Sequence, residues 1–172
     1  MLLFNILTLN DRYQKQNNKE LQQMKTMYEK YGARGLSIIG VYAYDLETGE
    51  QKSNKEIAAK LFQMGFVDAK GHFVYPGIKF LEKIDVNGKE MHEAFKFMKR
   101  NSPLFVRRYG MATHIYDYHT KFLLNRYGQV KYYYSASVEW PVIEADIKKL
   151  LEEEWSQERW RTTVEPKDIT ML

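Results

Sequence analysis

One hundred and seventy-two residues with a mass of 20.5 kDa suit one ordinary domain, and 44% apolar with 15% aromatic residues is enough to build a core. The chain has no cysteine, which removes disulfides, thiolate nucleophiles and Cys-ligated metal centres together. The net charge is +4, yet Glu152 to Leu172 carries six acids and three bases, so a basic body of +7 precedes an acidic tail. No apolar run approaches the roughly 20 residues that span a bilayer, and the amino terminus lacks the basic flank and cleavage site of a signal peptide, so a soluble or peripheral protein is expected.

Residues 2–9, Leu-Leu-Phe-Asn-Ile-Leu-Thr-Leu, are a short apolar run that reads as a buried strand. Asn17 and Glu20 resemble a capping pair, and Leu21, Met24, Met27, Tyr28 and Tyr31 recur at helical spacing until Gly32 and Gly35 stop the helix. Leu36 to Tyr42 is a second buried strand, which makes a right-handed βαβ unit with parallel strands. Ser53 to Glu56 forms a capping box that opens a helix through Ile57, Leu61 and Phe62. Residues 65–79 read as loop, Phe80 to Ile84 as a strand ending at the turn Asp85–Gly88, and the segment around His92, Phe95, Phe97 and Met98 as a short helix. Lys121–Leu124 and Gln129–Ser135 flank Asn125-Arg-Tyr-Gly128 and predict an antiparallel hairpin. A last helix runs from about Val138 to Trp155, with Pro141 in its first turn. This order describes an α/β domain over residues 1–151 with a partly antiparallel sheet, followed by an extension, 152–172, that reads as an interaction tail.

Several strings coincide: Tyr28-Glu-Lys-Tyr31 before Gly35-Leu36, Ser53-Asn-Lys-Glu-Ile57, Glu82-Lys-Ile-Asp-Val-Asn-Gly88, and Thr120-Lys-Phe-Leu-Leu-Asn-Arg-Tyr-Gly-Gln-Val130. Together they resemble the glutathione peroxidase family, in its order and near its spacings, from about residue 3 to residue 151. The resemblance implies a thioredoxin-like fold, a central mixed sheet with helices on both faces, here without the family's amino-terminal hairpin. It also implies hydroperoxide reduction by a thiolate or selenolate in the turn after the first strand, since a low-pKa chalcogen can attack the O–O bond and be regenerated by thiol exchange.

By that alignment the nucleophile position falls on Asp11, or on Asn10 if the one-residue insertion lies differently. The family's Gln falls on Gly49, with Gln51 two residues away; its Trp falls on Asp117, its Asn on Tyr118, and His119 stands where an aromatic residue is usual. A carboxylate has no oxidised state to be recycled, so the expectation is no enzyme: a pseudo-peroxidase without cofactor, metal or small-molecule substrate. His114, Asp117 and His119 are close in sequence but lack the His-x3-His spacing of a helical metal site. Asp11 and Asp117 would both lie near the former active site, where a carboxylate pair could perform acid–base chemistry.

Seven of the thirteen tyrosines lie between Tyr109 and Tyr134, and Tyr132, Tyr133 and Tyr134 alternate faces on a predicted strand, so at least one ring is expected at the surface. With Trp155 and Trp160 in the tail and the basic stretch Lys99, Arg100, Arg107 and Arg108, these are the interface candidates. The expected role is a structural or accessory subunit bound to other proteins, by family analogy in a mitochondrial respiratory-chain complex, NADH dehydrogenase first. The alternative is a free-standing module that binds RNA or an anionic surface through its basic body.

Overall fold

The structure, a computed structural model, describes residues 1–43, 46 and 53–163, the side chains of 154–163 excepted. Strands β1 (Leu2–Leu7), β2 (Ser37–Ala43), β3 (Ile78–Ile84), β6 (Lys121–Leu124) and β7 (Val130–Tyr134) form one sheet in the order β3-β2-β1-β6-β7. β1, β2 and β3 are parallel, β6 joins antiparallel to β1, and β7 pairs antiparallel with β6. β4 (Phe105–Val106) and β5 (Met111–Ala112) make a separate two-stranded ribbon that the sequence pattern does not announce. The helices are α1 (Gln14–Tyr31), α2 (Asn54–Gln63), α3 (Glu93–Arg100) and α4 (Trp140–Thr163).

Period-two alternation along β1 sorts its side chains to two cores. Leu3 and Leu7 join Leu21, Met24 and Met27 of α1, Ile57 and Leu61 of α2, and Ile143, Ile147 and Leu150 of α4. Phe4 and Ile6 join Phe95 and Met98 of α3 with Phe122 of β6. Helices therefore cover both faces, and the fold is the mixed, thioredoxin-like α/β architecture expected. Edge-to-face packing of Phe95 on Phe4 (6.5 Å) and on Phe122 (6.1 Å) fixes α3 to its face.

The capping box of α2 forms as read: Glu56 N–H donates to Ser53 Oγ at 3.4 Å, and Ser53 N–H donates to the Glu56 carboxylate at 2.6 Å. Gly128 takes φ 76° in the β6–β7 hairpin, a conformation that costs other residues about 1 kcal/mol. Two expectations are corrected. Asn17 and Glu20 lie inside α1, because a 3-10 turn over Asp11–Tyr13, capped by Asn10, starts the helix earlier. At the other end α4 runs to Thr163 where the sequence reading ended it near Trp155; residues 164–172 lie outside the described ones.

Gly40 of β2 lies beneath the Phe80 ring, and a Cβ there would overlap the ring carbons and meet Leu7 Cδ1 at 3.1 Å. Gly40→Ala is expected to lower the unfolding free energy by about 1–3 kcal/mol, measured as a shift in urea midpoint with unchanged m-value.

Candidate functional site

The carboxyl end of β1 and the start of β6 meet at a buried polar cluster centred on Glu20, whose side chain is 3% exposed. Glu20 Oε2 accepts from Asn5 Nδ2 at 3.0 Å and Trp140 Nε1 at 3.1 Å and pairs with Lys121 Nζ at 3.0 Å, while Oε1 accepts from Gln16 Nε2 at 3.1 Å. Asn5 and Lys121 are register partners on β1 and β6, so the sheet itself brings them side by side under α1 and α4. Lys121 also lies 5.2 Å from the Trp140 ring centroid and donates to the His119 carbonyl at 2.6 Å. Burial pushes its ammonium below the usual lysine value, and Glu20 opposes that shift.

His119 has φ 67°, alone among the described non-glycine residues. Its N–H donates to Ile6 C=O at 2.6 Å and its C=O accepts from Lys121, so contacts on both sides hold a conformation that costs an L-residue roughly 1–2 kcal/mol. The imidazole is buried and its Nε2 has no hydrogen-bond partner. Burial lowers its pKa to about 4, Glu20 opposing and Lys121 reinforcing, so the ring is neutral at physiological pH.

Around this cluster the expected site residues separate. Asp11 is exposed and borders a cavity of about 410 Å³ between α2 and the segment that leads from β1 into α1, shared with Gln14, Asn17, Glu56 and Lys60. Asp117 and Tyr118 border a different cavity of about 320 Å³ with Tyr13, Lys19, His119 and Glu139. For the paired-carboxylate reading, Asp11 borders the first of these cavities and Asp117 the second, and Asp117 helps to raise the Tyr133 hydroxyl above its ordinary value, second to burial. Tyr118 is buried, its ring 5.4 Å from Tyr13 and its hydroxyl accepting from Leu46 N–H at 3.3 Å. Gly49 and Gln51 lie outside the described residues. His114 is exposed beside Tyr116 whereas His119 is buried, and among the described residues no three such side chains converge as metal ligands.

The interface candidates need correction too. Tyr134 is buried, stacked on Tyr132 and donating to Asp146 Oδ2 at 3.0 Å, and Tyr132 and Tyr133 are half-buried against the two cores. No ring of the triple stands free, because α4 covers one face of β7 and the Phe122 cluster the other. Lys99 is buried, 1% exposed, while Arg100, Arg107 and Arg108 are exposed as expected. Trp155 and Trp160 lie in α4, and their side chains are outside the described ones. Of the seven tyrosines from 109 to 134, those that reach solvent are Tyr109, Tyr116 and Tyr127, and Met111 is exposed as well. Missed altogether was the Glu20 cluster, although Asn5 inside an apolar strand is a signal that a buried partner must exist.

A family model described as glutathione peroxidase matches residues 4–99. The chain is similar to a hydroperoxy fatty acid reductase of Synechocystis, 30% identical over 133 residues that are 77% of this chain and 73% of that protein. It is similar to a probable phospholipid hydroperoxide glutathione peroxidase of Helianthus annuus, at 31% identity over 78% of this chain and 67% of that protein. Among solved structures it superposes on Trgpx in its apo form with a TM-score of 0.58 at 15% identity, covering 88% of this chain and 80% of that one, a likeness of fold. These relatives correct the expectation that the chain is not an enzyme: they are named peroxidases and hydroperoxide reductases. The absence of cysteine excludes a thiolate from this chain's own side chains, which is a narrower statement than the absence of activity.

Two outcomes test the cluster. Glu20→Gln, which leaves Lys121 buried without its counter-charge, should cost about 3–5 kcal/mol by denaturant unfolding, and Glu20→Gln with Lys121→Met should recover part of it. Because the unfolded chain protonates His119 near 6.5 and the folded chain near 4, stability should fall as pH drops through that window. His119→Asn, which keeps the left-handed backbone accessible, should flatten the fall in urea midpoints between pH 7 and 4.5; an unchanged slope contradicts the assignment.

Proposed function

The chain belongs to the glutathione peroxidase family, and on that footing we propose that it serves as a subunit of a larger protein assembly, docking through the segment that carries β4 and β5. The observation that carries this reading is the exposure of Tyr109 (68%), Met111 (64%) and Tyr116 (71%) beside the exposed Arg107 and Arg108. Tyr and Arg recur as interface anchors because a rigid ring supplies apolar area and a guanidinium supplies directed donors. Their basic flank suits an acidic neighbour. The assembly to examine first is a mitochondrial respiratory-chain complex, NADH dehydrogenase before others; the chain's sequence pI near 9.0 is compatible with that compartment. Among the described residues no helix is long and apolar enough to cross a membrane, so attachment to a membrane complex would run through protein contacts.

Hydroperoxide reduction is a second reading, favoured by the names of the relatives. With no cysteine in the chain, the thiol would have to come from another molecule. Peroxide consumption by the purified protein that requires added thiol and is lost on boiling would establish it.

The docking reading predicts that the native protein, extracted from its own cells in gentle detergent, migrates far above 20.5 kDa and keeps its partners in high salt. Arg107→Glu with Tyr109→Asp should release it as a monomer while moving its own stability by no more than about 0.5 kcal/mol. A wild-type monomer overturns the proposal, and partners lost steeply with salt indicate nucleic acid or another polyanion.

A further inference from the structure

Lys99 closes the last turn of α3, and its side chain is 1% exposed. Its Nζ donates to Asn87 Oδ1 at 2.8 Å and to the Val86 carbonyl at 3.5 Å. Neither is charged. Asn87 Oδ1 also accepts from Ile115 N–H at 2.9 Å, and its Nδ2 donates to the Ile115 carbonyl at 2.7 Å, so the amide ties the 115 segment to the turn after β3. An ammonium carries three donors, and two are accounted for. Burial lowers the Lys99 ammonium from its ordinary value, and among the described residues no carboxylate acts to raise it again. A buried cation without a counter-charge is expensive, and proteins ordinarily pair it.

Lys99 borders a cavity of about 350 Å³ between α3 and the β4–β5 ribbon. Lys96 and Arg100 stand on the same rim, with Met91, Phe105 and Met111 as apolar wall, and among the described residues no carboxylate lines it. Lys96 is paired with Glu93 at 2.6 Å, on the exposed side of α3. Compensation of the α3 dipole does not explain this arrangement. Exposed cations in the last turn serve that purpose, and the Lys99 ammonium turns instead to the Asn87 turn.

We propose that this cavity is an anion site, whose ligand is a carboxylate or phosphate bearing a short apolar group, with Lys99 at its inner end, Arg100 at its mouth, and Met91, Phe105 and Met111 against the apolar part. A charge-assisted hydrogen bond to the third Lys99 donor would give the ammonium its missing counter-charge, and the apolar wall would select a ligand with a hydrocarbon stem over a bare ion. The site stands whether or not the docking reading holds, since its inner end is buried within one chain.

The experiment titrates the full chain with hexanoate, inorganic phosphate, hexanol and hexylammonium, followed by calorimetry and by the NMR signals of the Lys99 side chain. Hexanoate is expected to saturate one site and to move the Lys99 resonances, phosphate to bind more weakly, and hexanol and hexylammonium not to bind. Lys99→Met should weaken hexanoate about tenfold or more, the loss of one charge-assisted hydrogen bond. Should Lys99→Met fail to fold, Arg100→Gln and Met111→Glu alter only exposed side chains and should each weaken hexanoate, the latter most, by placing a carboxylate at the mouth. Absence of saturable binding by either anion, phosphate binding without hexanoate, equal binding of hexylammonium, or variants that bind like the wild type would overturn the assignment.

Discussion

The Glu20 carboxylate holds together four elements that sequence order keeps far apart. It lies on α1, its donors come from β1, β6 and α4, and all are buried where water cannot substitute. A buried carboxylate is tolerable only with a counter-charge and filled acceptor sites, and Lys121, Asn5, Trp140 and Gln16 meet that requirement. Because the donors are directional, the requirement also fixes geometry. β6 must sit beside β1 in the register that pairs Asn5 with Lys121, and α4 must cross so that the Trp140 indole reaches the same oxygen. An apolar core alone would accept several registers of this sheet, whereas a shared carboxylate accepts one.

The same constraint shapes the ends of the strands. Lys121 reaches back to the His119 carbonyl, and Ile6 takes the His119 N–H, so the chain turns into β6 through a left-handed residue that is neither glycine nor asparagine. The side chains that follow β1 and precede β6 are thereby set around two cavities: Asp11 beside one, Asp117 and Tyr118 beside the other. Around that end of the sheet the relatives' family and this chain share an architecture, and a chain without cysteine offers there carboxylates, phenols and a neutral imidazole.

Two parts of the surface are distinct in chemistry. The β4–β5 ribbon presents aromatic and guanidinium groups to solvent, the composition of a protein-binding face. Behind it, Lys99 is buried with two neutral acceptors, and the cavity it borders has cations on its rim and methionines with a phenylalanine on its wall. The first surface is defined by exposure and the second by a buried charge without a counter-charge among the described residues, so they invite different ligands although Met111 of the ribbon belongs to both.

Periodicity and end signals were enough to identify most elements. The parallel β1–β2 unit, the Ser53 capping box, the β6–β7 hairpin with Gly128 and the placement of Pro141 early in α4 were all legible, because each rests on interactions within a few residues of chain. The Lys-Ile-Asp-Val-Asn-Gly string and its companions likewise disclosed the family. What stayed hidden depends on contacts across 12 to 120 positions: Glu20 read as a cap because its true partners, Asn5 and Trp140, lie 15 and 120 positions away. Tyr134 read as available, yet α4 buries it, and Lys99 read as a solvated charge, yet the turn after β3 takes it inside. Local patterns reveal which residues can form a helix or strand, but the environment of a polar side chain is set by whatever the fold brings to its tip. That is a property of packing in three dimensions, and no spacing along the chain encodes it.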